Sequence, residues 1–273
     1  MSKQWNSNVV DFPKLEYRTV WISDVHLGFR GCKANHLLDF LKSVNFEYLY
    51  LVGDIVDVWN MKKSVHWPQE HNNVIRTILS KSKQGTKVVY IPGNHDEFLR
   101  EYDGMQFGNV VIRTYDVHTT VNGKQYLVMH GDEFDSAVKC NKLLSFIGSR
   151  AYDVILELNR TYNSLRRKMG LPYWSLSNYI KHRVNNAVKY ISRFEDAACY
   201  EAQKHHVDGL ICWHIHRDNL REVNGIHYCN TGDWVESCTA LAERHDGELE
   251  LIDWTQYVYQ PASDVLQTIE NAA

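Results

Sequence analysis

The sequence predicts an α/β fold of two sheets with a helical insertion, and three features predict it. Strand and helix signals alternate from Tyr17 to Ile91. Short strands in antiparallel spacing take over at Val110 and return at Gly209, and between these two sets, over residues 133–205, the apolar periodicity is helical. At 273 residues the chain can bury a large core, and it reads as one domain, 1–273, with the insertion 133–205 inside it.

Residues 17–23 alternate as a buried strand, and residues 34–44 read as a helix by the spacing of Leu37, Leu38 and Leu41. Residues 48–52 are a continuous apolar run, stopped by Gly53 and Asp54. A helix over 71–83 and a strand over 88–91, stopped by Pro92 and Gly93, repeat the unit. Residues 110–113, 117–121 and 126–129 are short strands, the last two joined by a turn at Asn122-Gly123. Leu144, Ile147, Ala151, Ile155, Leu158, Tyr162 and Leu165 then step by three or four, which predicts a long amphipathic helix. Gly170-Leu171-Pro172 ends it, and a second helix runs over about 176–204. Residues 209–212, 226–229, 239–243 and 248–253 follow as strands.

Composition places the chain among soluble globules, without low-complexity tracts or repeats. The formal charge of −3 weighs against a nucleic-acid binder, although a local basic face is compatible with it. Six scattered cysteines without a C-x-x-C pair read as reduced thiols. Residues 1–10 are polar, and no run of about 18 apolar residues occurs anywhere. A cytoplasmic protein, at most peripheral to a membrane, is the expectation.

Polar groups sit just past five of the predicted strands: Asp24 and His26, Asp54, Asn94 and His95, His130, and His214 with His216. Ligand sites in open α/β sheets gather at strand ends. Carboxylate, imidazole and amide donors suit a borderline divalent metal, and seven of them are too many for one tetrahedral ion. Two ions sharing a bridge fit better, with Asp54 as the natural bridge because one carboxylate can give an oxygen to each. The other nine histidines, such as His36, His66, His118 and His245, read as surface or satisfied core.

Asp24-Val25-His26, Gly53-Asp54 with Asp57 three on, Gly93-Asn94-His95-Asp96, His130-Gly131-Asp132 and His214-Ile215-His216 resemble, in order and spacing, the five motifs of the calcineurin-like metallophosphoesterases. The resemblance implies a four-layer α/β/β/α sandwich and a dinuclear centre of manganese, iron or zinc. It assigns Asp24, His26 and His216 to the first metal, Asn94, His130 and His214 to the second, and Asp54 to both. A bridging water activated by the two ions would attack phosphorus in line. His95 would protonate the leaving oxygen or steady the phosphoryl oxygens, with Asp96 orienting it. Asp57 and Asp132 read as groups that orient ligands. One residue departs from the pattern: the family usually has glycine before the last His-x-His, where this chain has Trp213. An indole there needs room in the core or over the pocket, and the departure bears on the second metal.

Between Lys139 and Arg193 eleven Lys and Arg face two acids, Asp153 and Glu157. Such an insertion, rooted beside His130 and His214, would attract anionic substrates. Tyr162, Leu165, Met169, Leu171, Tyr173 and Trp174 add an apolar lip, so that Arg166, Arg167, Tyr173 and Trp174 are the candidate substrate contacts. The insertion and the stretch Gly232 to Cys238 resemble the branch of UDP-2,3-diacylglucosamine diphosphatase-like proteins. That implies cleavage of a UDP-sugar pyrophosphate to UMP and lipid X at the inner membrane face, with contact to anionic lipid. The branch carries arginine where this chain has His95, as general phosphoesterases do. A general phosphodiesterase or phosphatase, a nuclease, and a weakly catalytic metal-bound fold acting as a binding module are the alternatives.

Overall fold

In the computed structural model, residues 14–135, 162–164, 166–169, 185–213 and 219–258 are described. Period-two burial builds the framework. In β1 (Leu15–Ile22) and β2 (Val44–Val52), Val20, Ile22, Leu49 and Leu51 face one side, while Trp21, Tyr50 and Val52 face the other. Both faces are apolar, as expected of strands covered on two sides. The larger sheet runs in the order β12 (Leu249–Asp253), β11 (Thr239–Glu243), β1, β2, β3 (Lys87–Ile91), β5 (Val110–Ile112), β4 (Gln106–Phe107). The smaller one runs β6 (Asp116–Thr119), β7 (Gln125–Val128), β8 (Gly209–Cys212), β10 (Ile226–Asn230), β9 (Asn219–Val223).

Helices α1 (Ala34–Ser43) and α3 (Gln69–Lys83) cover the outer face of the larger sheet, where Leu37, Phe40, Leu41, Val74 and Ile78 meet Val20, Ile22, Leu49 and Val88. Between the sheets, Trp21, Tyr50 and Ile91 pack on Tyr126, Val128, Ile211 and Cys229. Trp21 stacks on Tyr50 at 5.7 Å. On the far side, Phe194, Ala198 and Ala202 of α4 (Asn185–Lys204) pack on Leu127, Leu210 and Tyr228. This is the four-layer α/β/β/α sandwich expected from the sequence.

Local signals explain most boundaries. The three strands β1, β2 and β3 pair in parallel, so their C-terminal ends open at one edge. In the smaller sheet β7 and β8 are also parallel and end at His130 and Trp213, where Trp213 N donates to the carbonyl of His130. Besides two short 3-10 helices (Glu97–Tyr102 and Asp132–Asp135), four elements among the described residues were not foreseen: α2 (Val58–Lys63), the edge strands β4 and β9, and α5 (Trp254–Val258). The edge strands are paired on one side only and carry no clear alternation, and α2 and α5 are too short to show a period.

Of the insertion, α4 accounts for the C-terminal part of the expected second helix, and residues 162–164 and 166–168 are helical as expected. The remainder of the first helix, and residues 176–184, lie outside the described residues. No helix among the described residues is long and apolar enough to cross a membrane.

Candidate metal centre

The loops that follow β1, β2 and β3 continue to pair beyond the strands. Asp24 N donates to the carbonyl of Gly53 (3.2 Å), His26 N to that of Asp54 (2.9 Å) and Gly53 N to that of Ile91 (2.6 Å). This lacing brings the first three motifs to one point and forces unusual backbone. Asp24, His26 and Asp54 lie in the left-handed region at φ 45°, 53° and 52°. Side chains other than glycine adopt it at a cost of about 1 kcal/mol or more each, and such strain gathers at functional sites. Two glycines make room: a Cβ on Gly53 would lie 1.9 Å from His130 Nδ1, and one on Gly93 would lie 2.3 Å from Asp54 Oδ1. The glycines that precede Asp54 and Asn94 are therefore steric requirements of the cage.

At its centre is Asp54 Oδ2. The Nε2 atoms of His26, His95 and His130 stand around it at 3.9, 3.9 and 3.7 Å. These separations are too long for hydrogen bonds. For His26 and His130 they match donors that share a cation with Asp54, since ligand bonds of about 2.1 Å put neighbouring donors about three to four ångströms apart, and His95 stands at the same distance at the rim. Asp24 Oδ1 is 3.2 Å from His26 Nε2, and Asn94 Oδ1 is 3.4 Å from His130 Nε2, so the two sides of Asp54 carry different partners. The ligand atoms of His26, Asp54 and His95 lie within 4.8 Å of one another.

The donor set fits a divalent metal on a second count. Asp24 Oδ2 is buried and has no hydrogen-bond partner, and a buried carboxylate oxygen is costly unless something positive meets it. Burial would raise the pKa of Asp54, but the positive charges of His130, His26 and His95 outweigh it and hold the carboxyl below its usual range. Burial likewise opposes protonation of His26, yet hydrogen bonds to Asp24 and Asp57 and the charge of Asp54 raise its pKa well above the ordinary value. A cation would take the place of that proton.

Asp57 organises the second shell of contacts. Its Oδ2 takes a bond from His26 Nδ1 (3.0 Å) and its Oδ1 one from His95 Nδ1 (2.8 Å), which leaves both Nε2 atoms facing Asp54. Burial raises its pKa, but these two histidines pull it well below the carboxylate range. The same carboxylate caps α2, accepting from Asn60 N (2.9 Å) and Asn60 Nδ2 (2.6 Å).

Asp96 departs from its expected role of orienting His95. It is buried, and accepts from Tyr90 Oη (2.6 Å), Gly93 N (2.6 Å), Ile55 N (2.9 Å) and Val56 N (3.2 Å), tying the third loop to the second. Burial and the charge of Asp54 raise its pKa. A residue adjacent in sequence turns its side chain away, whereas Asp57, 38 positions earlier, reaches the ring.

Two features of the site were not foreseen. Trp59, on α2, is 42% exposed and lies over the His95 ring with centroids 4.5 Å apart; a capping aspartate two residues before a tryptophan was the available signal. Asp233 gathers the backbone N–H groups of Val235, Glu236 and Ser237, and the loop it shapes sends Trp234 N to the carbonyl of Asp24 (3.1 Å). The odd residue Trp213 is wholly buried.

Of the candidate substrate contacts, Arg166 lies over the ring of Tyr162, one turn away on its own segment. Arg167 is close enough to His36 of α1 to help lower the imidazole's pKa, after burial and Lys33. His214, His216, Tyr173 and Trp174 lie outside the described residues.

Comparison with known proteins agrees with this geometry. Residues 17–218 match the family model described as calcineurin-like phosphoesterase. A UDP-2,3-diacylglucosamine hydrolase of Psychromonas ingrahamii is 26% identical over 244 residues, 84% of this chain and 94% of the relative. The protein of the same name from Neisseria gonorrhoeae is 25% identical over 235 residues, again 84% and 94%. Among solved structures, vacuolar protein sorting 29 from Cryptosporidium parvum aligns with 86% of this chain and 94% of its own, at 13% identity and a TM-score of 0.42. With the family model covering most of its length, the chain belongs to the calcineurin-like phosphoesterases and is a metal-dependent phosphoester hydrolase.

Proposed function

We propose that this chain hydrolyses a phosphodiester or pyrophosphate bond with two divalent ions, and that a UDP-linked diacylated glucosamine is the first substrate to test. The observation that carries the reading is Asp54 Oδ2, ringed by three imidazole nitrogens at 3.7 to 3.9 Å. Asp24, His26 and Asp54 would hold the first ion, and Asp54, Asn94 and His130 the second, with His216 and His214 completing the two sets. Manganese is the first ion to try, then iron or zinc. Ions held there supply charge neutralisation at the phosphoryl group and activation of a water molecule.

The chain's own residues do the rest. Asp57 fixes His26 and His95 in the tautomer with hydrogen on Nδ1, so that each presents Nε2 inward. His95, partly exposed at the rim, presents Nε2 to the phosphoryl group; when its ring is doubly protonated, Nδ1–H stays on Asp57 and Nε2–H is the proton offered to the leaving oxygen or to a phosphoryl oxygen. Asp96 acts away from the His95 ring, accepting from backbone N–H groups and Tyr90 Oη, and so keeps the loops of Asp54 and Asn94 in register. Arg166, Arg167, Tyr173 and Trp174 belong to the basic, aromatic insertion that would meet the substrate's phosphates and acyl chains, and an anionic membrane surface at the inner face.

The substrate assignment rests on curated relatives that each align with 84% of the chain. A general phosphodiesterase is the second reading, and His95 favours it, because the diphosphatase branch has arginine at that position. The deciding experiment is manganese-supplemented turnover of UDP-2,3-diacylglucosamine and of bis-p-nitrophenyl phosphate, with Asp54→Asn as control. Release of UMP from the first, lost in the control, is the expected result. Turnover of the second alone selects the general phosphodiesterase. No turnover of either, with metal bound, leaves a binding module and overturns the proposal.

A further inference from the structure

A surface cavity of about 560 Å³ opens between α1 and α3, on the outer helical face. It lies near the N-terminal ends of the strands: Lys14, at its edge, precedes the first residue of β1, whereas Asp24 follows the last. Eight residues of extended chain put about 25 Å between the two. The cavity and the metal centre are thus at opposite ends of the sheet.

Four cations line the cavity, Lys14, Lys42, Arg76 and Lys81, and among the described residues no carboxylate does. None of the four has an ion-pair partner among the described residues. A helix face that is merely solvated usually intersperses the two signs of charge. Here cations from α1, α3 and the approach to β1 converge on one concavity in a chain of formal charge −3. Lys81 does not extend into water: its ammonium donates to the carbonyl of Val44 (2.7 Å) and lies 4.5 Å from the centroid of the Phe46 ring. That carbonyl uses one of three N–H donors and cancels no charge. Burial and the nearby Lys14 pull the Lys81 pKa down to about 8 against the charge of Glu16, which pulls the other way, so the group is held where its charge is costly. The half-buried Leu38 supplies an apolar floor, backed by the fully buried Leu41. The volume is that of a small-ligand cavity.

We propose that this cavity is a second, non-catalytic site for a small phosphorylated ligand, whose phosphoryl oxygens meet Arg76 and Lys81 while its apolar part rests on Leu38. Arg76 supplies a planar fork suited to phosphate, and Lys14, Lys42 and Lys81 supply point charges. The site is independent of the hydrolytic reading, because none of its residues belongs to the metal centre.

Lysine acetylation provides a local readout. The full-length, metal-loaded protein is treated with an amine-selective acetylating reagent, and the rates at Lys81 and Lys42 are followed by mass spectrometry. Inorganic phosphate, uridine monophosphate, or vesicles of phosphatidylcholine and phosphatidylglycerol are added in separate arms, with Lys87 and Lys124 as internal controls. The expected result is saturable protection of Lys81 and Lys42 by uridine monophosphate, about tenfold at saturation. Phosphate alone should protect more weakly, and the controls should not change. Arg76→Glu should abolish protection while turnover of bis-p-nitrophenyl phosphate stays at the wild-type rate. Three results would overturn the proposal: no protection by either soluble phosphate, equal protection of the control lysines, or full protection in Arg76→Glu. Protection by vesicles alone would also overturn it, by making the patch a lipid-headgroup contact.

Discussion

Glu243 and Asp54 are both buried carboxylates that meet histidine, and they are built differently. Glu243, on β11, accepts from Arg18 Nη1 (2.7 and 2.8 Å), Thr19 Oγ1 (2.7 Å), His118 Nε2 (2.8 Å) and Val121 N (2.8 Å). Both of its oxygens are saturated by donors from two sheets. Asp54 is as buried, yet its Oδ2 has three imidazole nitrogens at 3.7 to 3.9 Å, none in bonding range. A filled shell locks a fold; a shell of donors spaced too widely to touch is a cage for something else. The backbone repeats the contrast, with left-handed residues at Asp24, His26 and Asp54 and ordinary strand geometry around Glu243.

The strongest way to break the comparison is Asp54→Asn, which removes the shared carboxylate charge. Turnover should fall by about a thousandfold or more, because both ions lose a ligand at once. Chelation should lower the wild-type melting temperature and leave that of the variant unmoved. A variant that keeps a chelator response would show that Asp54 does not bridge.

Trp213→Gly tests the departure from the family pattern. With the indole wholly buried, restoring glycine should empty a large volume and destabilise the fold by about 4 kcal/mol, read in urea titration. The sequence alone left open a gain in metal content and turnover, and a clear gain in both would place the indole over the pocket.

Glu243→Gln should cost about 3 kcal/mol while the folded enzyme keeps its turnover and its chelator response. Its titration adds a pH signature. Burial raises the Glu243 pKa, but hydrogen bonds from His118, Thr19 and Val121 N bring it down to about 2 against an ordinary 4.5. The folded pKa is depressed, so the stabilisation is complete above about pH 4.5 and is lost as pH falls toward 2. It amounts to something on the order of 3 kcal/mol. Stability that falls equally steeply with acid in wild type and Glu243→Gln would remove Glu243 as its source.

How far the sequence reveals each cluster also differs. Asp24, His26, Asp54, Asn94 and His130 each follow an apolar run, and parallel pairing of β1, β2 and β3 must bring such ends together, so local pattern was enough to find them. His118 and Glu243 lie inside strands 125 positions apart, in different sheets, and no local period reports a contact made across the sandwich. His118 read as surface or satisfied core. The same limit explains Asp96 and Asp57. The family resemblance implied Asp96 as the partner of His95, but its side chain turns toward the backbone of Ile55 and Gly93. The main sheet and helices were legible because both faces of β1 and β2 are apolar, whereas α2, which aims Trp59 at His95, is six residues long and has no period to read.

The smallest expected effect is the most informative about division of labour within the cage. Asp57 gives one oxygen to His26 and the other to His95, and also caps α2. In Asp57→Asn the cap survives, since asparagine serves as well as aspartate at that position. An amide, however, has one acceptor oxygen, so only one of the two imidazoles keeps its bond. Turnover should fall by about 10- to 100-fold with little change in stability. If His26 is the ring released, metal content falls with the rate and added manganese restores part of it. If His95 is released, two ions remain bound, kcat falls at nearly constant KM, and the alkaline limb of the pH–rate profile shifts. Unchanged metal content, rate and pH profile together would reduce Asp57 to a helix cap, and the cage would then orient its histidines by Asp54 and packing alone.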